Sequence, residues 1–116
     1  MPNQLRSRTT PDATPVFRAL ADPTRRAVVE RLGQAPASTT TLAEGFAMAL
    51  PSFMQHLAVL EECGLVTSHK QGRTRIYRLT PAPMRAAEDW LSRQRDLWER
   101  RLDQLDDYLH TMEQET

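Results

Sequence analysis

The chain has 116 residues (13.3 kDa), one cysteine, and 15 Lys/Arg balanced by 15 Asp/Glu, which is one domain's worth of sequence and excludes a multidomain enzyme. A mean hydropathy of -0.57 and the lack of any apolar run near the roughly 20 residues that span a bilayer exclude a membrane-spanning protein. The start MPNQLRSRTTPDATP has no apolar stretch of the signal-peptide kind and Cys63 has no disulfide partner, so the reading is a cytoplasmic protein.

The neutral total hides a split. Residues 1–80 carry ten basic against six acidic side chains, net +4, and the remainder five against nine, net -4. A positive face for a polyanion is therefore compatible with a neutral chain, provided the acidic segment points elsewhere.

Residues 1–11 lack hydrophobic periodicity and contain Pro2 and Pro11, as a flexible tail does; the folded domain is expected over 12–116. From Asp12 a short helix places Val16, Phe17 and Leu20 on one face. Asp22-Pro23 then starts a second helix: the carboxylate accepts orphan N–H groups and proline lacks the donor that would go unmet. It runs to about Leu32, with Ala27, Val28 and Leu32 inward, and Gly33 ends it. After a loop over 34–38, Thr39, Thr40 and Thr41 each qualify as the N-cap of a third helix ending near Phe46, and Thr41 with Glu44 matches a capping box. Pro51 suits the first turn of a fourth helix, whose Leu50, Phe53, Leu57 and Leu60 recur at helical spacing up to Gly64. Two short helices joined by a tight turn make a helix-turn-helix.

From Leu65 the period changes. LVTSHK and RTRIYRL read as two strands joined by a two-residue hairpin at Gln71-Gly72. Lys70, Arg73, Arg75 and Arg78 crowd this ribbon, which cannot bury four charges, so most face solvent or an anion. After Pro81 and Pro83 a long helix spans residues 83–112. Leu91, Trp98, Leu105 and Met112 recur every seven residues, and Trp90, Leu97, Leu102, Tyr108 and Leu109 widen the stripe. Such a helix is about 45 Å long at 1.5 Å per residue, more than so small a domain covers with its own core. Its excess apolar surface is met either by a second copy in a two-fold dimer or by folding back onto its own domain, and symmetric pairing is the commoner solution.

The runs ALADPTRRAVVERL, ALPSFMQHLAVLEECGLV and GRTRIYRLTP, in that order and spacing, resemble the ArsR family of winged helix-turn-helix repressors, in particular its members without a metal site. The similarity spans about residues 13–112, with LADPTRR, the block at 56–66 and the wing at 72–79 the most specific parts. The resemblance implies a mainly α (α+β) fold of about five helices with a two-stranded β-hairpin wing. It also implies a homodimer paired through its first and last helices, that is through Val16, Phe17 and Leu20 with Trp90, Leu91, Leu97, Trp98, Leu102, Leu105 and Leu109. Such a dimer binds an operator near its own promoter and represses transcription. Thr40 and Thr41, at the start of the third helix, are implied to touch phosphates.

The chemistry of that reading follows from residue types. The second helix of a helix-turn-helix lies in the major groove with its N-terminal half against base edges. Here it covers 51–62, and with Phe53, Leu57 and Leu60 inward its early outward residues are Ser52, Met54, Gln55 and His56. Glutamine pairs bidentately with adenine, serine donates or accepts, and methionine suits a thymine methyl. His56 either reads DNA or caps its helix's apolar face. The wing, 67–79, brings Lys70, Arg73 and Arg75 to the backbone or minor groove. Two copies related by a two-fold place their reading helices about 34 Å apart, hence an imperfect palindrome in double-stranded DNA.

The sequence departs from the family pattern at Ala49, which forfeits the N-cap that relatives carry as serine, at Met54 and Gln55, where serine and a basic residue are common, and at Ala58, where a basic residue is common, so two phosphate or base contacts are missing. Ala49, Gln55, Ala58 and the net neutrality motivate an alternative, a winged-helix protein-interaction module that has lost DNA binding. No metal is expected. The family's third-helix site needs paired cysteines, and Leu42, Ala43 and Glu44 stand there. In the last helix His110 and Glu113 have ligand spacing, but Leu97 and Glu99 replace their upstream partners. Cys63 is either a redox sensor or a small packed residue; the helix C-terminus and nearby Glu61 and Glu62 disfavour the thiolate a sensor needs. Arg25 and Arg26, beside an N-cap aspartate, read as structural ion pairs, and Trp90 and Trp98 as interface rather than ligand pocket. No catalytic constellation or phosphate loop is present, so neither an enzyme nor a cofactor is expected, and the inducer is not readable.

Overall fold

The computed structural model describes residues 12–115; the tail expected over 1–11 lies outside them. In chain order the elements are α1 (Thr14–Leu20), α2 (Pro23–Leu32), β1 (Ala37–Ser38), α3 (Thr39–Glu44), α4 (Leu50–Glu62), β2 (Val66–Gln71), β3 (Thr74–Leu79) and α5 (Ala82–Glu115). The five helices are those the periodicity predicts. The sheet differs from expectation by one strand: β1 pairs antiparallel with β3, giving the order β1-β3-β2. Ala37 faces Tyr77 and Ser38 faces Ile76. Two residues are too few to show an alternation, so β1 leaves no periodic signal.

The helix ends obey local chemistry. Asp22 Oδ2 accepts the Arg25 N–H at 3.0 Å, with Pro23 at the first helical position. For α3 the cap is Ser38 and none of the three threonines that follow it. Its Oγ accepts the Thr41 N–H at 3.1 Å and donates to Thr41 Oγ1 at 3.0 Å, so the β1 strand runs directly into its helix. Helix α4 stops where Gly64 takes φ +81 and the Leu65 N–H reaches the Leu60 carbonyl at 3.1 Å, a Schellman closure that only glycine enters without strain.

One core joins these elements. Val28, Val29 and Leu32 of α2, Leu42 of α3, Phe53, Leu57 and Leu60 of α4, and Leu65, Val66 and Tyr77 around the sheet are buried, together with Ala13, Val16 and Ala19 at α1. Leu50 shares the helical spacing of Phe53, Leu57 and Leu60 but is 55 % exposed, being the first residue of α4. Helix α5 contributes Ala87 alone to the buried set. It starts against α1, where Phe17 and Trp90 meet edge to face at 5.6 Å and 73°, and then leaves the body. The Cα radius of gyration is 20.9 Å with a longest extent of 75 Å, against about 13 Å for a compact chain of this length. A helix folded back onto its own domain is therefore overturned.

Candidate nucleic-acid interface

Helices α3 and α4 form the helix-turn-helix, and an aromatic pair, Phe46 and Phe53 at 5.2 Å, pins the intervening turn. With Phe53, Leu57 and Leu60 fully inward, α4 leaves Ser52, Met54 and Gln55 exposed in its first two turns. The helix begins at Ala49 with no side-chain cap, so its first N–H groups keep their hydrogen-bonding capacity for solvent or ligand. Thr40 and Thr41 are exposed in the first turn of α3, with the Thr41 hydroxyl already accepting from Ser38.

His56 sits apart from the exposed row. Its side chain is 22 % exposed and its Nδ1 lies 3.2 Å from Arg25 Nη1 and 3.5 Å from Asp22 Oδ2, both at the start of α2. It is thus tied into the body. Arg25 and Arg26 differ from the expected ion pairs: Arg25 Nε donates to the Ala19 carbonyl at 2.7 Å, and Arg26 Nη1 to the Leu20 carbonyl at 2.8 Å. These are the orphan acceptors at the end of α1, which a cation satisfies well. The Arg25 N–H, and after it the nearby guanidinium charge of Arg25, holds the Asp22 carboxyl below its ordinary pKa.

The hairpin turns one residue later than expected, at Gly72-Arg73, with Gln71 paired to Thr74. Gly72 has φ +65 while Arg73 is not left-handed, the pattern of a turn with its glycine first. This shift sets the cation geometry. Arg73 becomes the tip, and Lys70 and Arg75 become directly opposed across the strands. Like charges in register repel, and among the described residues neither forms an ion pair with a carboxylate. Arg75 Nη1 instead donates to Ser68 Oγ at 3.0 Å, and that hydroxyl donates to Glu61 Oε1 at 3.2 Å. A chain of contacts thus links the wing to the last turn of α4. Buried Tyr77 lies beneath it; its pKa is raised first by burial and then by the charge of Glu61.

A second exposed surface is apolar. Phe17, Trp90, Leu91, Leu97, Trp98, Leu102, Leu105 and Leu109 are between 36 % and 63 % exposed, as are Tyr108 and Met112. Val16 does not belong with them: at 3 % exposure it faces the chain's own core, because α1 turns Val16 and Ala19 inward and Phe17 outward. Leu20 is partly buried against that core. Among the described residues no three His, Cys, Asp or Glu side chains converge as a metal site, and no helix is long and apolar enough to cross a membrane. Cys63 is half-buried at the end of α4, its thiol donating to the Leu60 carbonyl at 3.4 Å.

A helix-turn-helix domain family matches residues 20–69. The chain is 40 % identical over 86 residues to the HTH-type transcriptional regulator Rv2034 of Mycobacterium tuberculosis, covering 74 % of this chain and 78 % of that one. It is 29 % identical over 76 residues to the transcriptional repressor SdpR of Bacillus subtilis, covering 66 % and 84 %. Among solved structures it is similar to the ArsR family transcriptional regulator RHA00566, with a TM-score of 0.71 and 47 % identity over 85 % of this chain and 94 % of that one.

Proposed function

The chain belongs to the ArsR family of winged helix-turn-helix regulators and is a DNA-binding transcriptional repressor, and from that premise we propose that it acts as a cytoplasmic homodimer on an imperfect palindrome. Each α4 enters the major groove with Ser52, Met54 and Gln55, while Lys70, Arg73 and Arg75 of each wing grip the flanking backbone. The observation that carries this reading is the coexistence of an exposed polar row on α4 with a wing whose opposed cations Lys70 and Arg75 form no ion pair among the described residues. A polyanion supplies the missing counter-charge. Thr40 and the α3 start add phosphate contacts. The apolar face of Phe17 and α5 is buried between the two copies, which fixes the separation of the two reading helices. The work is binding rather than catalysis.

Recovery of fragmented genomic DNA on the purified protein tests the proposal. One enriched promoter region containing an imperfect palindrome is expected, and no enrichment even at low salt would instead favour a protein-interaction module. On the recovered site, Gln55→Ala should change the preferred base at one position of each half-site; a uniform loss across all sequences would remove Gln55 from base reading.

A further inference from the structure

Arg25, in the first turn of α2, spends all three guanidinium nitrogens on other elements. Nε and Nη2 donate to the Ala19 and Arg18 carbonyls of α1 at 2.7 and 3.3 Å, and Nη1 meets His56 Nδ1 on α4 at 3.2 Å. A guanidinium only donates and stays protonated. The contact is a hydrogen bond when the facing ring nitrogen brings a lone pair, with the imidazole proton on Nε2. Asp22 Oδ2, 3.5 Å from the same Nδ1, also caps α2 by accepting the Arg25 N–H. Three helices thus converge on one planar cation, and the helix it holds by two carbonyls is α1, whose Phe17 packs on Trp90 of α5.

We propose that Arg25 and His56 are positioning residues for DNA recognition, a clamp that sets the tilt of α4 against the α1–α5 pair. The inference rests on the dimeric DNA-binding reading above and adds how the reading helix is aimed. Neither residue touches the operator in this scheme. Specific binding by two helices about 34 Å apart depends on that tilt, whereas non-specific attraction to phosphates depends on charge alone. The clamp's signature is therefore a loss of specific affinity with non-specific affinity preserved. The wing network through Glu61 and Ser68 holds the other end of α4, so loss of the clamp re-aims the helix without freeing it.

Two measurements test this. Imidazole 15N NMR of the free full-length chain should show His56 with its proton on Nε2 and an acceptor Nδ1, a pattern released in Arg25→Ala; a proton on Nδ1, or a spectrum indifferent to Arg25→Ala, would overturn the clamp. Binding is then compared on the recovered operator and on a random duplex at one salt concentration. His56→Leu should weaken operator binding about tenfold, the usual size for coupled contacts, with the random duplex and the melting temperature unmoved. His56→Asn, which keeps an acceptor, should restore most of the loss. Arg25→Ala combined with His56→Leu should be no worse than Arg25→Ala alone. Additive losses, an equal loss on random DNA, or a changed base preference at one position would each defeat the proposal, the last by making His56 a base reader. Should Arg25→Ala not fold, the two His56 variants still decide. A wild type that selects no operator would sink the repressor reading and the recognition role together, while the imidazole spectrum separately decides whether the clamp exists.

Discussion

The body of the protein and its last helix carry the same kind of pattern, apolar residues at helical spacing, with opposite outcomes. In α4, Phe53, Leu57 and Leu60 are at most 1 % exposed, whereas in α5 Trp98, Leu102 and Leu105 are more than half exposed. The period identifies an apolar face in both cases and is silent on what covers it. Elements of the body cover the apolar face of α4 and leave its polar face open; α5 meets α1 over its first turns and then, among the described residues, projects from the body. Under the proposed assembly there are two sources of stability, one internal and one depending on a second copy.

The largest expected effect tests the internal source. Leu57→Ala, at a fully buried site, should lower unfolding free energy by about 3 kcal/mol through lost transfer energy and a cavity, measured by denaturant titration and independent of protein concentration. Trp98→Ala should do the reverse: it leaves the monomer's own stability alone and weakens self-association by about 2 kcal/mol, roughly thirtyfold, as expected for an aromatic anchor. Sedimentation equilibrium reads this directly, and unchanged association would erase the distinction between the two regions. Next comes Ala49→Ser, which supplies the cap that α4 lacks and should stabilise the body by about 1 kcal/mol without changing association. The smallest effect on affinity is at the wing tip, where Arg73→Ala should reduce the slope of log affinity against log salt by about 1 for any duplex.

Acid sensitivity sharpens the same contrast. The depressed pKa of Asp22 means that the unfolded chain binds its proton first. The stabilisation is present above the ordinary value of 3.8 and is lost as pH falls through the lower folded value. Asp22→Ala should therefore flatten the body's stability profile in that acid window, measured by unfolding at stepped pH.

Much of this is legible in the sequence alone. Val28, Leu57 and Leu60 follow from the 3.6 period, the Asp22-Pro23 start from capping chemistry, and the long final helix from its heptads. Where the structure differs, the reasons are physical. The hairpin slipped by one because Gly72 serves as the first loop residue rather than the second, and that single step turns Lys70 and Arg75 into a facing pair. Periodicity puts Phe17 and Val16 on one surface because a seven-residue helix gives too few turns to separate its inner from its outer edge. The Arg25 contacts are invisible to any local rule: two partners are main-chain carbonyls, which carry no residue signature, and the third lies 31 positions away. The departures at Ala49, Met54 and Gln55 are plain in the sequence, and the structure adds that Ala49 is indeed uncapped.

The projecting final helix also decides which laboratory reading of size can be believed. A single chain is already drawn out to 75 Å with a radius of gyration of 20.9 Å, so on a gel-filtration column it elutes ahead of a sphere of its mass. Two such rods lying side by side would gain mass and girth with little gain in length. Elution volume is thus a poor scale for this molecule, and light scattering or sedimentation has to weigh it.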